Sequence, residues 1–128
     1  MHLTGAFFAN VAREVNGMLE VGGGCWSSTT VQQGSAGFVT QLVVLADVDG
    51  DDVGQEYVVC VDADGPTGSR WASALSTSFV VTEVLVFMIT PQIVLPIEPA
   101  GGPHVDNVRI QGQHNRIVLP LQVNVVSG

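Results

Sequence analysis

Short apolar runs that alternate with polar residues, broken every few positions by Gly, Pro, Asn or Asp, make up most of the chain. A period of two marks strands with one buried face, and close spacing of turn residues marks an all-β domain. The clearest element is near the start. Asn16-Gly17 separates two extended runs, and a two-residue hairpin turn favours this pair because both positions need positive φ. The turn predicts strands over 7–15 and 18–24, with Val15 opposite Met18 and Arg13 opposite Glu20, a cross-strand ion pair.

Further strands follow along the chain. Phe38, Leu42, Val44, Ala46 and Val48 share one side of 37–48, and Tyr57, Val59, Val61 and Ala63 share one side of 56–63. The segment 79–90 is apolar almost throughout and reads as a central strand buried on both faces. Ile93, Leu95 and Ile97 alternate before a break at Pro99-Ala100-Gly101-Gly102-Pro103. The chain closes with strands over 105–111 and 117–125 around a turn at 112–115, and Pro120 marks an edge or a bulge there. Only 69–76 has helical spacing, with Trp71, Ala74 and Leu75 on one side. With no repeat, linker or charge block, the whole of 1–128 reads as one domain. The expectation is a single antiparallel β-sandwich of about eight strands with at most one short helical turn.

Composition narrows the partners. Of 128 residues 46% are hydrophobic and 12% charged. Little polar material is left to cover the surface, which favours burial of part of it against a second copy or another protein. Twelve acids face four arginines (Arg13, Arg70, Arg109, Arg116) with no lysine, for a formal charge of −8. Nucleic acid and anionic membrane surfaces are excluded as partners, since no basic cluster exists to follow phosphates. The run 79–97 is long enough to span a bilayer, but Glu83, Pro91, Pro96 and its β-branched content suit strands better. The first residues lack a basic segment followed by an apolar one, so the expected location is cytoplasmic. Cys25 and Cys60 are then expected as free thiols; in an exported chain they would be the one possible disulfide.

Three sets of residues invite a chemical reading. Gly24-Cys25-Trp26 looks like the nucleophile of papain-type proteases. Those enzymes place their histidine roughly 130–150 residues downstream, beyond the end of this chain. They also seat the cysteine at a helix N-terminus, where this chain has a Ser/Thr/Gln/Gly loop over 27–37. A strand end with Trp26 on the core is the better reading. Next are the aspartates of "ADVDGDDVGQE" and "VDADG": Asp47, Asp49, Asp51 and Asp52, then Asp62 and Asp64. Asp47, Asp49 and Asp51 stand at positions one, three and five of a calcium loop, but the sixth is Asp52 and the twelfth Val58, so an EF-hand fails. Asp49, Asp51, Asp62 and Asp64 would share a cation only if both loops lay at one end, yet they bracket one strand. Asp-Gly pairs as turn formers account for both. Last, His104 and Asp106 share a strand face and His114 follows in the turn, a set of three zinc-ligand types. Without a diagnostic spacing, solvated polar residues on an exposed strand are expected there. Dinucleotide, phosphate-loop and serine-hydrolase patterns are absent.

The stretches "FFANVAREVNGMLEVGGGCW", "YVVCVDADGP" and "IVLPIEPAGG…VRIQG…RIVLPLQV" resemble an uncharacterised family of small bacterial all-β proteins, a domain of unknown function. The resemblance implies a β-sandwich with no assigned activity, and no functional residue carries over. The expected protein is a non-enzymatic sandwich, without cofactor, that binds itself or another protein. Calcium or a small ligand at the Asp loops is the alternative.

Overall fold

Asn16 and Gly17 take φ of 52° and 76°, the geometry a tight hairpin turn demands. They join β1 (His2–Val15) to β2 (Met18–Gly24), with Val15 opposite Met18 and Arg13 opposite Glu20 as the turn predicts. The computed structural model describes residues 1–82 and 87–127. Its other strands are β3 (Ser28–Gln32), β4 (Gly37–Asp47), β5 (Glu56–Asp64), β6 (Arg70–Val80), β7 (Phe87–Ile89), β8 (Ile93–Pro96), β9 (Gly102–Ile110) and β10 (Arg116–Val126). The protein is all-β, in two five-stranded sheets.

In the first sheet the order is β2-β1-β4, with β7 and β8 both beyond β4. β7 pairs with Val43–Leu45 and β8 with Gly37–Thr40, so the two continue one another along one edge. Pro91, which has no N–H to give, sits at the break. Thr90 repairs it: its hydroxyl accepts the Leu42 N–H (2.9 Å), and its own N–H donates to the Leu42 carbonyl (3.0 Å). The second sheet runs β3-β10-β9-β5-β6.

Five expectations need correction, the first being the loop expected over 27–37, of which Ser28–Gln32 form β3. Ten strands are present among the described residues, where about eight were expected. They are not all antiparallel, because β3 lies parallel to β10. The segment 69–76 is no helical turn but falls largely within β6. A bulge between β5 and β6 there puts Ser73 at φ 49°, and its extra residues shift the alternation so that Trp71, Ala74 and Leu75 imitate helical spacing. Among the described residues the one helical turn is instead the short 3-10 segment Gly50–Asp52. Finally, the described parts of 79–90 belong to two strands in different sheets; 83–86 lie outside the described residues. Pro120 is placed where an edge is locally open, since β3 joins β10 only from Gln122 onward.

Both sheets turn one face to a common core. Phe8, Leu42 and Leu95 from the first sheet pack with Val59, Val108 and Leu121 from the second, all fully buried. Trp26, at the crossing from β2 to β3, stacks on Phe8 (5.1 Å, 27°) and meets Phe38 edge-on (6.0 Å, 73°). Burying each such side chain contributes roughly 1.5–3 kcal/mol.

Candidate functional site

Cys25 ends the glycine run with φ 61° and is exposed. Its N–H donates to the Phe8 carbonyl (2.8 Å), which holds the chain end of the hairpin against β1. A nucleophile would need a base, and His104 has no ring nitrogen to offer. His104 is buried; its Nδ1 lies 2.9 Å from the Gly102 carbonyl, and its Nε2 accepts the Glu98 N–H at 2.9 Å. That pair of contacts fixes the neutral Nδ1–H tautomer. Both cysteines are free thiols, Cys60 being buried.

The Asp-bearing loops occupy opposite ends of β5, as their bracketing of that strand requires. At the first, Asp49 and Asp51 are exposed and Asp52 is buried. The Asp52 carboxylate accepts the Tyr57 hydroxyl, the Met1 ammonium (2.9 Å) and the Asp49 N–H (2.8 Å). These donors, the Tyr57 hydroxyl foremost, hold its pKa down to about 2. At the second, Asp62 accepts Arg109 Nε (2.7 Å) and the Ser73 N–H (2.8 Å), which stabilises the bulge in β6. The Arg109 hydrogen bond keeps the Asp62 carboxyl below the usual carboxylate range. Asp64 faces Arg70 Nε (3.6 Å) and Asn107 Nδ2 (3.5 Å). The Asp62 carboxylate is thus committed to protein donors, while Asp64 makes only these two long contacts.

His104 and Asp106 do share a face, but it is the inward one. Their strand positions alternate in phase with Val108 and Ile110, and Asp106 stands opposite Ala63 on β5 and Leu119 on β10. Both are buried, so the solvated reading is corrected. His114 lies exposed in the β9–β10 turn, at the other end of the strand. Among the described residues no three His, Cys, Asp or Glu side chains converge as a metal site would need. Asp106 is 1% exposed, and its Oδ2 has no hydrogen-bond partner. Burial, with the nearby Asp64 charge adding to it, pushes its pKa up to about 7.

Two acids gain a role that the sequence reading did not give them. In the sequence Asp52 is only the residue that spoils a calcium loop. Glu98, beside the alternating run 93–97, is buried and reaches into the β5–β6 turn. Its carboxylate accepts the Thr67 hydroxyl and the Thr67 N–H (2.9 Å), and the hydroxyl bond first of all lowers its pKa. The signal available was an acid at the end of an apolar run, a position where burial needs a partner.

The outward faces of the two sheets differ. On the second sheet Asp62, Asp64, Asn107, Arg109 and Arg116 make a polar face. On the first, Ala9, Ala12 and Val43 are buried beneath the partly buried Phe7, Leu19, Leu45 and Ile89. Val39 and Val94, directly opposite one another, are 57% and 64% exposed. Arg13 and Glu20 pair with each other near the hairpin tip (2.9 Å), and Asp47 stands at the far end beside His2 (3.7 Å).

The fold and these sites define an all-β protein of two five-stranded sheets. No protein-family model matches the chain, and a search of curated proteins finds no match either. Among the described residues no helix is long and apolar enough to cross a membrane.

Proposed function

We propose that the chain is a non-catalytic β-sandwich that acts by self-association, through the outward face of its first sheet. The carrying observation is the uncharged middle of that face, where Phe7, Val39, Leu45, Ile89 and Val94 lie at least partly exposed. A chain of formal charge −8 repels its own copies. Two copies approach at least cost where charge is absent or internally paired. The first sheet keeps its charges at its ends: Arg13 and Glu20 neutralise one another beside the exposed Glu14 at the hairpin tip, and Asp47 is at the other margin. An exposed apolar patch of this kind is a common mark of an interaction surface, and a symmetric pair is the simplest way to cover it. The reduced state of Cys25 and Cys60 fits a cytoplasmic setting.

Light scattering on the purified protein tests this. The expected mass at micromolar concentration is a multiple of 13.4 kDa, falling to that of one chain when Val39 and Val94 are both replaced by Glu. A single-chain mass for the unmodified protein removes the proposal.

A further inference from the structure

Among the described residues two buried side-chain polar atoms lack a hydrogen-bond partner, Trp26 Nε1 and Asp106 Oδ2, whereas Glu98, His104 and Asn107 around β9 are all bonded. We infer that Asp106 is a proton-dependent release point of the fold. With its proton the carboxyl stays packed between β5 and β10; without it, that end of the second sheet opens to water.

The neighbours of Asp106 leave a charged carboxylate no way to be satisfied in place. From β5 it meets Ala63, with the Asp64 carboxylate on the next residue, a like charge. From β10 it meets Leu119; Arg116 is three residues away and stands opposite Arg109 on that sheet. Along β9 the next inward side chain is His104, already bonded at both ring nitrogens. Protonating His104 would break its bond from the Glu98 N–H. Glu98 itself is an acid whose carboxylate is held by Thr67. The Asn107 amide faces Asp64. From the first sheet, the core is lined by Leu3, Phe8 and Leu95, none of which titrates. A neutral acid can remain in such surroundings, whereas a bare carboxylate must find water. The upward displacement of its pKa to about 7 agrees with this geometry and brings the event into the neutral range.

Hydrogen exchange resolved to segments 59–65 and 102–110, corrected for the intrinsic pH dependence of amide exchange, tests the inference. If the open form titrates as an ordinary aspartate, opening rises roughly tenfold between pH 6 and pH 8. Asp106→Asn and Asp106→Leu should each abolish that rise, and either suffices if the other fails to fold. A protonated-carboxyl infrared band should also be lost as pH passes 7, and be missing from both variants. Equal exchange in parent and variants at pH 8, or a carboxyl already ionised at pH 5, overturns the inference.

Discussion

Replacing Cys25 by Gly should stabilise the protein. Cys25 holds φ at 61° with its side chain in solvent. For a residue with a Cβ the left-handed conformation costs about 1–2 kcal/mol. Glycine removes that strain but gives back roughly 0.5–1 kcal/mol through the freer unfolded chain. The net expectation is a gain of about 0.5–1 kcal/mol, or a melting temperature higher by roughly 2–5 °C for a domain of this size. Cys25→Ala is the control, because it removes the thiol and keeps the strain. It should melt within about 1 °C of the parent, in line with other exposed substitutions. Thermal unfolding followed by calorimetry separates the two variants. The reasoning fails if Cys25→Gly melts no higher than Cys25→Ala, since the backbone would then not be strained at this position. Asn16, also at positive φ, offers no similar gain, because Asn tolerates the left-handed region.

Two further outcomes follow from the buried acids. A Cβ added at Gly65 would clash with the Glu98 carboxylate, so Gly65→Ala should cost roughly 1–3 kcal/mol in urea unfolding. The loss should shrink when Glu98 is already Ala, because the two changes share one contact; full additivity would contradict this. The pH profile of stability should peak in mildly acidic solution. Asp52, Asp62 and Glu98 have folded pKa values below their unfolded ones. Their stabilisation is complete above about pH 4–5 and is lost as pH falls toward 2. Asp106 acts with the opposite sign. Between its unfolded value of 3.8 and about 7 the unfolded chain releases a proton that the fold retains, so stability declines across that interval. Asp106→Asn should remove the decline on the neutral side and leave the acid limb in place. A neutral-side slope that the substitution does not change would count against the assignment.

Local turn chemistry made much of the fold legible. Asn16-Gly17 fixed a hairpin to the residue because the positive φ it needs suits few other pairs. β5 was readable from Tyr57, Val59, Val61 and Ala63, and ends one residue later than expected. β3 was not legible: Ser28-Thr29-Thr30-Val31-Gln32 has almost no apolar face of its own, and its pairing depends on a strand distant in sequence. At the candidate site, alternation put His104 and Asp106 together but left open which side they faced. The same alternation continues into Val108 and Ile110, whose aliphatic side chains would have marked that side as the interior. The engagement of Asp62 by Arg109 could not be read, because those residues meet only once β9 lies beside β5.

The parallel pairing of β3 with β10 has a consequence for assembly. Ser28 stands opposite Gln122 and Gln32 opposite Val126, and β3 has no other strand partner among the described residues. Contacts this far apart in sequence close large loops and form late. During synthesis, the segment after Trp26 therefore emerges long before the strand that will receive it. Trimming the last ten or so residues would strip one margin of the second sheet of two strands rather than one, leaving β9 as its new border.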